Sequence, residues 1–295
     1  MTLHPSGLAA TVDRLLGGLP GTTGVVVWRP GDAAPLLARH ADRPFALASV
    51  VKLPLMLQVL RLAAAGAIDL AERVTLTDAE RVPGSGVLHL LDPGLAPTVR
   101  DLLRLTMVVS DNAATDRLFA RVPPAELERS MHALGYGSLR VPHTIMEMLR
   151  SCASAGAGST YDEMRTSFRD PHRQRPADPD GASNERGDRA SPHDVARMLV
   201  DLLEGRLLEG SWRDLALQIL EDCQTNGRIP ARLPEGTRVG HKTGTLHART
   251  NDAGIVHTPS GPWVLVLFQE GERDERRASA ALADVARAVY DVACA

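Results

Sequence analysis

Lysine is almost missing from this chain. The sequence has 295 residues and 33 lysines and arginines together, yet only Lys52 and Lys242 are lysines, so 33 minus 2, or 31, are arginines. A solvated positive charge works about equally well in either form, but a buried lysine can lose its proton and act as a base, which arginine cannot. We therefore expect the two lysines to mark positions where the chemistry requires an amine.

Other absences exclude whole classes of function. The net charge is -3 without a basic cluster, so nucleic-acid binding is not expected. The cysteines Cys152, Cys223 and Cys294 lie far apart without metal-ligand spacing, so no metal or other cofactor is expected. No apolar run approaches the length of a membrane span, and the first residues show no basic leader followed by an apolar core. We expect a cytoplasmic protein without a membrane partner.

Hydrophobic periodicity predicts strands at both ends of the chain and helices between them. Helices are predicted at 8 to 18, 50 to 65, 98 to 109, 112 to 121, 124 to 134, 192 to 204, 211 to 223 and 275 to 293. Strands are predicted on both sides of a turn at "RPGD" and in "TRVGHKTGT", "NDAGIVHT" and "PWVLVLFQE". The last of these is continuously apolar, which is typical of a central strand. This order predicts a sheet-containing α/β subdomain from 1–48 and 206–295, with a helical subdomain from 49–205 inserted in it.

The first candidate motif contains one of the two lysines. Ser49 precedes Lys52 by three positions at the start of an apolar helix, so both side chains project from its first turn. A desolvated neutral lysine there can take the proton of a serine nucleophile. Taken alone, the pair favours a helix-capping serine followed by a solvated lysine.

The second motif is Ser110-Asp111-Asn112, after the apolar "LLRLTMVV". These residue types are also the usual helix caps. If they face a substrate, Ser110 can pass a proton to a leaving group and Asn112 can donate to a carbonyl.

The third motif, Lys242-Thr243-Gly244-Thr245, lies on the first strand after the helical block. An ammonium and a hydroxyl there can hold a substrate carboxylate, and the glycine lets the backbone approach a ligand closely. An ordinary strand lysine is the alternative.

Together the motifs stand in the order Ser-x-x-Lys, Ser-Asp-Asn and Lys-Thr-Gly that class A β-lactamases and penicillin-binding proteins share. Both lysines fall within them. The sequence resembles the class A β-lactamase-like serine hydrolases over nearly its whole length. The resemblance implies an α/β (α+β) fold in which an antiparallel sheet from both chain ends carries flanking helices and an inserted all-helical domain.

The resemblance also implies catalytic roles. Ser49 would be the nucleophile and Lys52 the general base. The backbone amides of Ser49 and Thr245 would form the oxyanion hole. Ser110 and Lys242 would act together as proton relay and electrostatic anchor.

The same resemblance implies how a substrate is held. Asn112 would position it, Thr243 and Arg249 would bind its carboxylate, and Gly244 and Thr245 would line its path. The turn between Gly244 and Arg249 is shorter than in typical secreted β-lactamases, so a solvated surface arginine is the alternative for Arg249.

A long polar stretch resembles the omega-shaped loop of the secreted class A enzymes. Arg173 and Asp188 lie 188 minus 173, or 15, positions apart, which matches the residues that tie the two ends of that loop. A polar insert that contains Arg and Asp by chance is the alternative. If the loop exists, its third position is Arg175, where the family has the glutamate that activates the deacylating water.

These observations predict a serine hydrolase or acyl transferase that acts on an amide, lactam or ester through an acyl-Ser49 intermediate. A true β-lactamase that uses another acid of the loop, and a ligand-binding or sensor protein without turnover, are the alternatives. Serine-dependent glutaminases share the fold and also remain open. The predicted partner is a small-molecule substrate, with or without a separate acyl acceptor. The loop acids considered are Asp178, Asp180 and Glu185.

Overall fold

The computed structural model describes residues 7–152, 160–169 and 187–295. Its contacts divide the chain into two compact units. The sheet unit comprises Met1–Val50, Tyr136–Leu139 and Arg189–Ala295, and the helical unit comprises Val51–Gly135 and Arg140–Asp188. Sheet strands thus come from both chain ends, with the helical segment inserted between them.

The described residues form helices and strands in the predicted order. The helices are α1 Leu8–Leu16, α2 Lys52–Ala64, α3 Val99–Val108, α4 Asn112–Phe119, α5 Pro124–Ala133, α6 Ile145–Cys152, α7 Tyr161–Arg169, α8 Pro192–Leu203, α9 Gly210–Glu221 and α10 Glu275–Ala293. The strands are β1 Thr22–Trp28, β2 Leu37–Arg39, β3 Phe45–Ala46, β4 Arg189–Ala190, β5 Val239–Leu246, β6 Arg249–Thr258 and β7 Gly261–Glu270. The periodicity had not predicted α6, α7 or the short β4.

One antiparallel sheet has the strand order β2-β1-β7-β6-β5. The continuously apolar β7 is its middle strand, as its composition predicts. Val25 and Val27 of β1 and Leu265 and Leu267 of β7 share a buried cluster with α1 and α10. Each such side chain contributes about 1.5–3 kcal/mol when fully buried. Because α8 packs on β1 and β7 as well, the alternate residues of these strands are also removed from water.

Helix α8 belongs to the sheet unit, whereas the sequence analysis placed residues 192 to 204 in the helical subdomain. The reason is packing: a Cβ at Gly24 of β1 would lie 2.7 Å from both Phe45 and Pro192, so the glycine admits the start of α8 against the sheet. Just before it, β4 pairs with β3. Neither contact can be predicted from the local hydrophobic periodicity of the sequence.

The helical unit is organised around α2. Every residue from Lys52 to Leu60 is buried, so this helix is not amphipathic but central, with α3, α4 and α5 packed around it. Pro54 lies in its first turn, where backbone amides have no intrahelical partner to lose. In the part of the chain that the structure describes, no helix is both long and apolar enough to cross a bilayer.

Candidate active site

Lys52 begins α2, and its ammonium group is enclosed in the helical unit. The side chain is 0% exposed. Its Nζ lies 2.7 Å from the Ser110 carbonyl oxygen, 3.0 Å from Ser110 Oγ and 2.8 Å from Asn112 Oδ1. The carbonyl and amide oxygens only accept, so two N–H groups of Lys52 point to them. The third position on the nitrogen is a donor in the ammonium form and a lone pair in the neutral amine, and the Ser110 hydroxyl lies within hydrogen-bond distance of this nitrogen.

The turn that carries Ser110 and Asn112 is shaped by Asp111. The Asp111 carboxylate caps α4 by accepting from the amide of Ala114 at 2.9 Å, and its other oxygen accepts from the amides of Val87 and Leu88. Ser110 has a φ of 56°, a left-handed conformation that is uncommon for serine and clusters at functional sites. Asp111 is thus the helix cap of this motif, and Ser110 and Asn112 are its contacts with Lys52.

Ser49 is the accessible residue of a buried segment. From Phe45 to Leu60 every residue is buried except Ser49, which is partly exposed. It lies in a single 3-10 turn, Ala48–Val51, that leads directly into α2. Ala48 has a φ of 51°, so two of the four described non-glycine residues with positive φ are Ser110 and the residue just before Ser49. Ser49 is thus partly exposed to solvent in a turn with a constrained backbone.

Within the sheet unit, β5 and β6 hold the Ser49 turn. A Cβ at Gly244 would lie 2.5 Å from the Leu47 carbonyl oxygen, so only glycine lets the strand approach this closely. Asn251 Nδ2 donates to the carbonyl oxygens of Ala46 at 2.7 Å and Leu47 at 3.2 Å. The structure therefore places Ser49 beside Gly244 and the adjoining Thr245.

Lys242 is also completely buried, in β5 of the sheet unit. Its Nζ donates to the Thr243 carbonyl oxygen at 2.9 Å. Burial lowers the pKa of Lys242 to about 8, while the charges of Cys223 and Asp252 act in the opposite direction. Its charge at neutral pH is thus maintained against a desolvation cost.

Arg228 was not found from the sequence. It is 3% exposed, and its guanidinium donates to the Gly244 carbonyl oxygen at 3.0 Å, to the Asn251 carbonyl oxygen and to Thr245 Oγ1. It also pairs with the largely exposed Glu275 at 3.1 Å. Among 31 arginines no local signal distinguishes this one, because its partners lie on strands distant along the chain.

Arg249 has a different environment from the one that the family resemblance implies. Its guanidinium donates to Glu270 Oε1 at 3.2 Å and to the His247 carbonyl oxygen at 3.1 Å. The β6–β7 register sets Arg249 directly opposite Glu270, which also pairs with Arg43. Both arginines therefore have an acidic partner, Glu270 for Arg249 and Glu275 for Arg228, but only Arg228 contacts Thr245 among the described hydrogen bonds.

Arg173, Arg175, Asp178, Asp180 and Glu185 lie outside the described residues. Asp188 lies within them, at the end of the helical unit. It is fully buried, and no described residue donates a hydrogen bond to either of its carboxylate oxygens. Burial, together with the nearby charge of Asp116, raises the pKa of Asp188 well above its usual value.

Asp116 is the second member of this carboxyl pair. It lies on α4, one turn after Asn112, and accepts from the amides of Ile145 at 2.7 Å and Met146 at 2.9 Å. Burial raises the pKa of Asp116 to about 6, although these two amides and the charge of Lys52 oppose the shift.

We expect Asp188→Asn to reduce the dependence of stability on pH, because it removes one member of the buried Asp116–Asp188 carboxyl pair. Both carboxyl pKa values are raised on folding, so stability is present below about pH 4 and falls as the pH rises through the folded values. Urea unfolding at pH 5 and pH 8 should show a smaller loss between the two pH values in the variant.

The exposed Asp92 supplies the matched control, Asp92→Asn, which should leave the free energy of unfolding unchanged. A loss of stability between pH 5 and pH 8 that is as large in Asp188→Asn as in the parent would contradict the coupling of the two carboxyl groups.

Comparisons with known proteins identify the family of this chain. A family model described as "Beta-lactamase enzyme family" matches residues 7–293. The Beta-lactamase regulatory protein BlaB of Streptomyces cacaoi and the Extended-spectrum beta-lactamase PER-1 of Pseudomonas aeruginosa are each 27% identical to this chain, over 92% and 96% of it and 93% and 86% of their own lengths. The crystal structure of a beta-lactamase from Sphaerobacter thermophilus is similar with a TM-score of 0.79 and 33% identity, over 97% of this chain and 96% of that one.

The matched segment spans nearly the whole chain and includes all three motifs. The fold, with its antiparallel sheet and inserted helices, is that of the class A β-lactamases. The chain therefore belongs to the beta-lactamase enzyme family and is a class A β-lactamase-like serine hydrolase.

Proposed function

We propose that the protein opens a β-lactam-type amide or an ester through an acyl-Ser49 intermediate and releases the acyl group slowly to water. The observation that carries this proposal is the environment of Lys52. A fully buried amine with its hydrogens directed to Ser110 and Asn112 follows, by three residues, the single accessible side chain of its segment. Such an amine is suited to accept a proton from a serine hydroxyl.

The proton balance of acylation uses the residues around Lys52. Ser49 Oγ bonds to the substrate carbonyl carbon and its proton passes to Lys52 Nζ. The scissile bond then breaks, and the leaving nitrogen or oxygen takes a proton from Ser110 Oγ. Since Ser110 Oγ lies 3.0 Å from Lys52 Nζ, the lysine returns its extra proton to that hydroxyl. The cycle leaves Lys52 neutral and the acyl group on Ser49.

The sheet unit supplies the electrostatic part of the proposal. The amides of Ser49 and Thr245 would bind the developing oxyanion, because Gly244 brings β5 against the Ser49 turn. A substrate carboxylate would be held by Thr243, Lys242 and Thr245. Arg228 would reinforce this binding, since its guanidinium contacts Thr245 Oγ1 directly, and it takes the place that the sequence analysis assigned to Arg249.

Release of the acyl group is the step in which the proposed activity differs from that of a β-lactamase with rapid turnover. Hydrolysis needs a base for the attacking water, and a carboxylate with a pKa of about 4–4.5 is ready to accept that proton. Counted from Arg173 at the start of the loop, Arg175 occupies the position at which the family has that carboxylate. An arginine cannot accept a proton. The two relatives at 27% identity carry the names of a regulatory protein and of a β-lactamase, which is compatible with either slow release or turnover.

We expect penicillin to form an acyl adduct that persists, and Arg175→Glu to shorten its lifetime by supplying a base. Intact-protein mass spectrometry over a time course after exposure to penicillin G, and separately to an activated ester, measures both formation and decay. Arg189→Glu, which makes the same charge change at a residue of β4, is the matched control and should not speed release.

Other outcomes decide between the remaining functions. Rapid penicillin turnover by the unchanged chain would contradict slow release and favour a β-lactamase whose base is Asp178, Asp180 or Glu185. An adduct whose decay accelerates with an added amine or alcohol would favour an acyl transferase. Absence of any adduct with either reagent would contradict the proposed substrate class and favour a non-covalent ligand-binding protein or a serine-dependent glutaminase.

A further inference from the structure

Asn251 is a buried amide at the point where the segment before Ser49 meets the sheet. It lies on β6 and is 1% exposed. A carboxamide nitrogen carries two N–H donors. Both donors are used on consecutive backbone carbonyls of that segment, since Asn251 Nδ2 lies 2.7 Å from the Ala46 oxygen and 3.2 Å from the Leu47 oxygen. No step of the proposed acylation uses this side chain.

The sheet register explains how the amide reaches these carbonyls. Asn251 on β6 is directly opposite Gly244 on β5, so the two residues share one face of the sheet. A Cβ at Gly244 would lie 2.5 Å from the Leu47 carbonyl oxygen. The glycine therefore makes the space that this carbonyl enters, and the amide beside it supplies a donor.

The Leu47 carbonyl is held from three directions. Asn251 donates to it from β6, and Gly244 of β5 packs closely against it. The Val50 amide donates to the same oxygen at 3.1 Å from within the 3-10 turn that contains Ser49. The peptide plane between Leu47 and Ala48 therefore cannot turn over without losing both hydrogen bonds.

That peptide orientation is locally unfavourable. Ala48 has a φ of 51°, and its Cβ disfavours this left-handed conformation. Turning over the Leu47–Ala48 peptide would change the φ of Ala48 and relieve the strain, and the hydrogen bonds to the Leu47 oxygen oppose that change. Strained residues persist where the surrounding structure holds them, and they cluster at active sites.

A polar side chain at position 251 is costly without such a use. Burying an amide is unfavourable unless it forms hydrogen bonds. On the other side of β6, the residue directly opposite Asn251 is Phe268 of β7, which is fully buried. Apolar side chains thus fit this layer of the sheet, and the feature that distinguishes Asn251 is its pair of hydrogen bonds to the segment before Ser49.

We propose that Asn251 is a positioning residue, which holds the Leu47–Ala48 peptide and thereby fixes the direction of the Ser49 amide and hydroxyl. The consequence for acylation rests on the proposed function, in which that amide binds the oxyanion and that hydroxyl is the nucleophile. The hold on the turn does not depend on that function.

Amide hydrogen exchange tests the hold without any substrate. In Asn251→Ala the Leu47 oxygen loses a donor, so the peptide can turn over and release the Val50 amide. Exchange at Val50, measured by nuclear magnetic resonance, should become about tenfold faster or more. The matched control is Gln269→Ala, which removes a fully buried amide of β7 that donates to the Pro20 carbonyl oxygen at 2.9 Å. It should leave exchange at Val50 at the parental rate.

Acylation by penicillin G tests the catalytic consequence. We expect Asn251→Ala to lower the maximal rate of adduct formation by about 10²-fold, since a small displacement of a reacting group has an effect of that size. The half-saturating concentration should stay near the parental value, because the backbone oxygen of residue 251 still accepts from Arg228. Gln269→Ala should retain the parental rate. Rapid-quench mass spectrometry measures both quantities.

Infrared spectroscopy of the adduct separates a change of orientation from a general loss of structure. With penicillin G labelled with carbon-13 at the reacting carbonyl, the ester carbonyl band should move to higher frequency in Asn251→Ala, because weaker hydrogen bonds in the oxyanion hole polarise the bond less. The double variant Ala48→Gly/Asn251→Ala should recover part of the acylation rate, since glycine adopts the left-handed conformation without strain. If Asn251→Ala fails to fold, Asn251→Thr, whose hydroxyl is one bond shorter than the amide, carries the same measurements.

Parental exchange at Val50 in the position-251 variant would overturn the proposal. Faster exchange with a parental acylation rate, or with an unshifted carbonyl band, would overturn the positioning role in acylation. If the parent chain forms no adduct, the proposed function fails, and exchange at Val50 still decides whether Asn251 holds the turn. The two failures are therefore distinguishable.

Discussion

Ser49→Ala is expected to abolish covalent labelling and to reduce hydrolysis by about 10³-fold or more, because the change removes the oxygen that bonds to the substrate carbonyl in the proposed mechanism. The side chain is small and partly exposed, so the fold and the thermal midpoint should be unaffected. Intact-protein mass spectrometry after exposure to penicillin G or an activated ester measures the adduct, and circular dichroism verifies the fold.

Ser110→Ala is the matched control for Ser49→Ala, since its hydroxyl also lies near Lys52, at 3.0 Å from Nζ. We expect it to form the adduct more slowly, because only the proton relay is lost. Adduct formation that survives Ser49→Ala and disappears in Ser110→Ala would reverse the assignment of the nucleophile.

Lys52→Arg is expected to reduce the acylation rate nearly as much. A guanidinium stays protonated throughout the working pH range, so it cannot take the Ser49 proton. The Lys52 side chain is fully buried, and its single nitrogen atom lies 2.7 to 3.0 Å from three oxygen acceptors. The larger, planar guanidinium group of an arginine has no exposed side there into which it could extend. Rapid-quench mass spectrometry of adduct formation measures the rate.

Lys242→Arg is the control that separates charge from proton transfer. It retains a permanent positive charge at the other lysine, so we expect a smaller loss, expressed mainly in KM. Near-parental acylation by Lys52→Arg would show that neither lysine is a base, and the scarcity of lysine would then be unrelated to catalysis.

These expectations assign different tasks to the two lysines. In the proposed mechanism, Lys52 exchanges protons with the Ser49 and Ser110 hydroxyls, and Lys242 supplies a fixed charge from β5. An amine suits both tasks, because a compact ammonium fits a fully buried position and its pKa responds to its surroundings. Arginine suffices for the other 31 positive charges, most of which need neither property.

Local patterns predicted much of the architecture. Helix α10 has the predicted bounds, 275 to 293, and β7 is the middle strand that its unbroken apolar run indicated. The sequence also predicted a helix at Lys52, and the structure begins α2 at that residue, with Ser49 in the 3-10 turn just before it. These features follow from interactions between residues a few positions apart. The helical period of 3.6 residues and the strand period of 2 residues can be read directly from the sequence.

Only the tertiary structure revealed the partners. That Arg228 contacts Thr245, that Glu270 neutralises Arg249, and that Asp252 holds His241 all depend on which strands become neighbours and in what register. The sequence alone determined the order of helices and strands and the three motifs, because those are local. The charges around each lysine were decided by packing between distant segments, since burial and electrostatic contact exist only once the chain has folded.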